Sequence, residues 1–442
     1  MCFHRGPYGP SSNAGRDHVP ERAPFWSPVT QVTKGINMEK KQTIGIVAIV
    51  ATVIAAAVLM LTKDGGFGAD AFKDLLPGFG YDWGRDALQF GKNLDIWFML
   101  MLVAFLMIFI RKFEWGVALA VLLSAAASFV VYLGIQQIWF EELWTQQLLI
   151  RAVICAITVV IAIGVFLGTC KMWQYLLVGA LFSVVYAFIE WLLLGQLTEW
   201  TDLVVTDDGG SVLVHMCAAY FGLGVALGIR DKRAFDEPMY TTTHSVSFVW
   251  LASMLLWMLW PSFVTSLLPD TISVTEATIT CYMAGIGSVI STYAMCMIFQ
   301  GKVNPLVYTY AMLCGPVAIG APLLQVGPWG ALLVGLIAGI ISTTCFIYLQ
   351  PWFCNKIGVL DIMGVHNLHG VGGWFGAIVV SIVLAASGAG FEASVGTLVM
   401  AVITVVVTLV TGAVIGVIVK LTRGDMEICT DDTDFIKNEA PA

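Results

Sequence analysis

The segment Asp361-Ile362-Met363-Gly364-Val365-His366-Asn367-Leu368-His369-Gly370 opens an apolar run that ends near Ala386. Two imidazoles and a carboxylate at the mouth of a membrane-length run are costly to keep unless they face water, protein or a permeating molecule. About 150 residues earlier, Gly209-Gly210-Ser211-Val212-Leu213-Val214-His215 leads into a comparable run that ends at Ile229. The two histidine-bearing runs read as the centre of a pore.

Composition sets the class around them. Of 442 residues, 58% are hydrophobic and only 12% charged, and the mean hydropathy is +0.84. These values describe a polytopic membrane protein in a lipid bilayer rather than a soluble domain. The net charge of -8, with no basic run carrying interleaved aromatics, excludes nucleic acid as a partner. The ten cysteines lie in apolar spans or in segments assigned to the cytoplasm, so free thiols are expected rather than a disulfide framework.

Residues 1–37 are polar, rich in Gly, Pro, Ser and Arg, and read as disordered. Translation could begin at Met1 or at Met38. The segment 38–62 holds an apolar run from about Thr43 to Thr62, read as a retained first span because a signal peptide's apolar core is usually ~7–15 residues. From 63 to 421 the chain reads as one channel domain. After a loop to about 93, runs able to cross a ~30 Å hydrocarbon core follow at 94–110, 115–138, 148–168, 174–194, 210–229, 245–266, 277–299, 305–322, 328–348, 365–386 and 396–420. Residues 422–442 form an acidic tail, expected to be mobile.

Alternate loops carry the basic residues: Arg111 and Lys112, Lys171, Arg230 with Lys232 and Arg233, Lys302, and Lys356. The loops between them carry Glu141 and Glu142, Glu199, Asp202, Asp207 and Asp208, Asp270 and Glu276, and Glu392. Basic loops stay on the cytoplasmic side, which puts the C-terminus inside, with the plasma (inner) membrane as the expected location.

His215 and His366 lie five runs apart, so their helices cross in opposite directions. An odd number of spans per half is what an inverted-topology repeat requires, with the site at the repeat interface near mid-membrane. Each histidine is followed by an aromatic-Phe-Gly triplet, Tyr220-Phe221-Gly222 and Trp374-Phe375-Gly376. The expected fold is therefore an all-α polytopic membrane protein of eleven or twelve transmembrane helices, with two inverted five-helix repeats around a central pore. Two other readings of the histidines stay open on this ground alone. They could be core residues satisfied by backbone or Ser, or axial haem ligands on two helices. His366 and His369 share a helix face at i, i+3, but the acid or thiolate partners of a metal site are missing nearby, and no metal or cofactor is expected.

With these motifs placed, the chain resembles the Rh branch of the ammonium transporter/methylammonium permease/Rh superfamily. The likeness is carried by Asp-x-x-Gly-Val-His-Asn-Leu-His-Gly at 361–370, by Asp207-Asp208-Gly209-Gly210-Ser211 leading to His215-Met216-Cys217-Ala218-Ala219-Tyr220-Phe221-Gly222, and by Leu256-Trp257-Met258-Leu259-Trp260-Pro261-Ser262-Phe263. It runs from about residue 65 to 420. The resemblance implies a homotrimer with one pore per subunit, His215 and His366 as the twin pore histidines, and His369 beside the pore. It further implies Phe263 as the inner phenylalanine of the external gate, Asp207 as the buried acid of the outer vestibule, and Asp361 as its counterpart on the cytoplasmic side. Departures are Ile154 where an outer gate phenylalanine is usual, Val264 after Phe263, and Thr280 and Tyr310 where Asn is common.

The function that follows is an ammonium or ammonia channel, with methylammonium or carbon dioxide as further permeants. A charged ion is rejected by a dry lumen unless it sheds its proton. Asp207 and Glu190 near the mouth would raise the local cation concentration, and Phe263 would hold ammonium over its ring. An ammonium sensor acting through the cytoplasmic face is the alternative. No nucleophile, Cys-x-x-Cys or phosphate loop accompanies the histidines, so an enzyme is not expected.

Overall fold

A computed structural model describes residues 83–110, 112–235, 242–268 and 274–435, together with the isolated positions Val47, Ala51 and Ile54, which are helical. The chain divides into Met1–Ala56 and Ala57–Ala442, and the second unit carries the helices α1–α11 given next. The expected disorder of 1–37 and the expected first span over 43–62 lie outside the described residues, apart from those three positions.

Eleven apolar helices follow one another among the described residues: α1 Trp83–Leu106, α2 Glu114–Trp139, α3 Gln146–Ile163, α4 Met172–Thr201, α5 Ser211–Ile229, α6 Thr243–Val264, α7 Val274–Gln300, α8 Pro305–Ala318, α9 Gly327–Ile357, α10 His366–Ala386 and α11 Phe391–Arg423. All but α8 are long and apolar enough to cross a bilayer. Local chemistry sets several of the starts. Thr145 accepts from the Leu148 amide at 3.1 Å, and Asn304 accepts from Leu306 and Val307 ahead of Pro305 at the first helical position. α8 breaks at Met312 and Leu313. Pro316 has no N–H to return to the Met312 carbonyl, and Ser288 of α7 donates to that oxygen instead, at 2.5 Å.

The two sets of five, α1–α5 and α6–α10, share irregularities at matching places. The fourth and fifth helix of each set contain a π segment: Leu192–Gln196 in α4, Ser211–Met216 in α5, Cys345–Leu349 in α9 and His366–Gly370 in α10. The fifth helix of each set also packs backbone to backbone on the third. A side chain at Gly222 would collide with the Ala162 carbonyl of α3, and one at Gly376 with the Ala318 carbonyl of α8. Small residues at such contacts let helices associate closely in lipid.

Hydrogen bonds tie the loops into two faces. On the face carrying Lys112, Lys171 and Arg230, the Ile362 and Met363 amides donate to Val165 and Gly164 at 3.2 Å. On the opposite, acidic face, Gly209 donates to Gly320 at 2.7 Å and Val204 to Glu392 at 3.3 Å.

The tail departs from its expected mobility, at least as far as Phe435. Arg423 at the end of α11 donates to the Thr169 carbonyl and pairs with Asp231 at 2.9 Å. Cys429 donates to Gly168, and Asp431 to Lys112. The Asp431 carboxylate caps α2 by accepting from Glu114, Trp115 and Gly116 at 2.7–3.1 Å. These are partners distant in sequence, so a locally polar segment is held as a strap across the basic face.

Candidate functional site: a histidine-lined lumen

The site is built at two helix starts of the same design. Before α5, Gly210 turns the chain at φ +83°, and the Asp207 carboxylate accepts from the Val212 and Leu213 amides at 3.0 and 2.8 Å. Before α10, Gly364 turns the chain at φ +67°, and Asp361 accepts from Val365 and His366 at 3.0 and 2.8 Å. A carboxylate at a helix N-terminus satisfies orphan amides and suits the local dipole. Burial nonetheless raises both carboxyl pKa values, Asp207 to about 7 and Asp361 to about 6, against the lowering effect of those amide bonds.

The π turns that follow bring two imidazoles together from opposite ends of the bundle. His215 Nδ1 and His369 Nδ1 lie 3.0 Å apart, with ring centroids at 5.0 Å and planes 26° from parallel. Such a contact needs one donor and one acceptor. Both rings cannot carry two protons, because two N–H groups would then face each other. His215 Nε2 is buried without a partner among the described residues.

The expected partner of His215 was His366, and the structure pairs it with His369 instead. His366 turns toward Tyr220, whose hydroxyl is 3.5 Å from its Nε2, and stacks on Phe353 at 4.7 Å. The physical reason is the π turn at His366–Gly370. Its wider winding takes residues three apart off the common face an α-helix would give them. The aromatic triplets do converge, since Trp374 donates to the Tyr220 hydroxyl at 2.9 Å.

Beside the pair runs a cavity of about 50 Å³, walled mostly by aliphatic and aromatic side chains of α1, α3, α6, α8 and the start of α10. This is room for only a few water-sized molecules. Phe263 and Trp260 of α6 cover His215 at 6.0 and 5.7 Å between ring centroids. Both line the cavity, as does Tyr310, whose hydroxyl is satisfied by the Leu106 carbonyl at 2.8 Å.

Two expected site residues are elsewhere. Ile154 is fully buried and does not line the cavity, to which α3 contributes Ile157 and Ile161. Glu190 does not line the cavity either. It is paired with Arg151 at 3.1 Å and accepts from Tyr132 at 2.5 Å and Gln136 at 3.2 Å. Arg151, inside the apolar run of α3, escaped the loop-charge reading. A lone guanidinium in a membrane-length run was the signal for it, because such a charge needs a partner.

Fold and site together define a polytopic helical membrane protein enclosing a narrow apolar cavity beside a hydrogen-bonded histidine pair. The chain belongs to the Ammonium Transporter Family, whose sequence profile matches residues 87–435, and within it to the Rh branch. It is 33% identical to Ammonium transporter Rh type C of Xenopus laevis over 287 residues, 62% of this chain and 59% of that protein. To Ammonium transporter Rh type A of Bos taurus it is 31% identical over 298 residues, 65% and 68% of the two chains. The chain thus spans about three fifths of the length of the Rh type C relative. Among solved structures, Nitrosomonas europaea Rh50 superposes with a TM-score of 0.76 at 30% identity, covering 82% of this chain and 95% of that one. Candida albicans Mep2, at 17% identity and a TM-score of 0.62 over 76% of this chain and 84% of that one, shares the fold.

Proposed function

We propose that the chain conducts ammonia across a membrane, receiving ammonium at the acidic face and leaving its proton behind. The observation that carries this reading is the His215–His369 pair set in an apolar lumen. An isolated ammonium ion in such a lumen costs far more than neutral ammonia. Phe263 and Trp260 meet the ion first and hold it by cation–π contact worth roughly 0.5–2 kcal/mol. As water is stripped away, the charged form is disfavoured and the proton leaves more easily. The histidine nitrogens then offer a small hydride one donor or acceptor at a time, enough to pass it on without trapping it. Potassium has no proton to lose and is excluded.

In this reading the basic face is cytoplasmic, the strapped tail with it, and the membrane is the plasma membrane. The matching π segments and Asp-capped starts of α5 and α10 support two five-helix repeats of inverted topology. The assembly is a homotrimer with one lumen per subunit, as its relatedness to the Rh branch suggests.

The test is flux in proteoliposomes with simultaneous internal pH and current recording after an ammonium chloride jump. Alkalinisation of the vesicle interior without current is the expected result, reduced in His369→Leu. Current that scales with flux would overturn ammonia as the permeant, and absence of any flux would overturn the channel.

A further inference from the structure

A second cleft, of about 270 Å³, opens between α2, α3 and α4 near the acidic face, away from the lumen. Its floor is the network around Arg151, which bonds Glu142 at 2.7 Å and Glu190 at 3.1 Å. Glu199 stands on the α4 wall, where Gln196 donates to it at 2.9 Å. Three carboxylates against one guanidinium leave the cleft a formal charge of -2. Gln136 adds an independent sign. It is 2% exposed and lines the cleft, and its amide nitrogen is spent on Glu190. Its Oε1 is buried with no hydrogen-bond partner among the described residues. A buried acceptor of this kind is expensive to leave unmet.

A group that suits this cleft carries positive charge and donates a hydrogen bond. Among the described residues no three His, Cys, Asp or Glu side chains converge closely enough to hold a metal ion. The space is also several times the roughly 30 Å³ of a water, and Phe140 and Trp191 give it apolar walls. We propose that this cleft binds an organic ammonium ion, a primary amine of a few carbons. Its N–H groups meet Gln136 and the carboxylates, while its carbons and charge lie against Trp191. The kink of α4 shapes the opening: Gly195, at φ +156° within the π segment, lines the cleft and leaves it unobstructed. The site stands apart from the lumen and does not depend on what the lumen conducts.

Calorimetric titration of the detergent-purified full chain with n-butylammonium chloride, against potassium chloride at equal ionic strength, tests it. Saturable binding is expected in the parent protein, at least tenfold weaker in Gln136→Leu and in Glu199→Gln, and unchanged in His369→Leu. Glu199 is exposed, so its variant keeps the test available should Gln136→Leu fail to fold. Absence of binding, an equal response to potassium, an affinity in both cleft variants equal to the parent's, or loss in His369→Leu would each overturn the proposal.

Discussion

His369, and not His366 three residues earlier, shares a 3.0 Å Nδ1–Nδ1 contact with His215. The two candidates sit three residues apart on α10 and differ in what they face: His369 lines the cavity, whereas His366 stacks on Phe353. His369→Leu is expected to change methylammonium uptake at least tenfold, because it leaves the buried His215 without its partner, worth roughly 1–3 kcal/mol. His366→Leu should change it less than threefold. Equal effects would mean that the lumen extends past His366.

The two capping aspartates give stability a pH dependence of unusual sign. Their folded-state pKa values, about 7 for Asp207 and about 6 for Asp361, are raised by burial above 3.8. The folded state therefore binds protons that the unfolded state has released, and stability falls as pH rises from about 4 toward 7. For Asp207 the limit is roughly 4 kcal/mol. Asp207→Asn keeps a cap acceptor and removes the titration, so its unfolding temperature should vary less across pH 4.5–8 than that of the parent. An identical pH slope in the two proteins would refute this.

Gly364 holds two constraints at once. Its φ of +67° is strained for any other residue, and a Cβ there would collide with the Phe346 ring. Since it is the turn from which Asp361 caps α10, Gly364→Ala should destabilise the protein by about 2–4 kcal/mol. Thermal unfolding measures this, and a loss below 1 kcal/mol would show that Phe346 swings aside freely.

Much of the bundle was legible in the sequence because membrane crossing leaves a continuous apolar record. The runs at 115–138 and 396–420 fall inside α2 and α11, and Asp207 and Asp361 stand where two helices start. What stayed hidden depends on geometry that no local pattern carries. Nothing in His-Asn-Leu-His announces a π turn, so the choice between His366 and His369 could not be made from spacing. Ile154, Ile157 and Ile161 read alike, yet only the last two reach the cavity. Arg151 was masked by its apolar neighbours. The strap at 424–435 reads as polar and mobile because its partners are far away in sequence, with Asp431 and Gly116 separated by 315 positions.

That strap makes a prediction of its own. Asp431 accepts three amide hydrogen bonds at the start of α2. Replacing a capping side chain with alanine typically costs ~1 kcal/mol and up to about 2. Asp431→Ala should therefore speed hydrogen exchange at Glu114, Trp115 and Gly116 by about tenfold, with amides at the centre of α2 unaffected. Unaltered exchange at those three would mean that water caps the helix equally well.

The Arg151–Glu190 pair separates a structural charge from a functional one. Glu190 is 2% exposed and carries hydrogen bonds from Tyr132 and Gln136, but the opposite charge beside it comes from Arg151. Arg151→Met strands a buried carboxylate, which costs about 3–5 kcal/mol. Adding Glu190→Gln removes the stranded charge and keeps hydrogen-bonding capacity, so the double variant should be more stable than Arg151→Met alone. Because the pair lies off the lumen, ammonia flux per folded protein should stay within about twofold of the parent in the double variant, by the same reasoning that additivity holds for separated sites. Thermal unfolding of the four proteins of the cycle, with flux normalised to folded protein, decides both points. Additive losses would show that the two charges do not sense each other, and a collapse of flux in a stable double variant would return Glu190 to the permeation path.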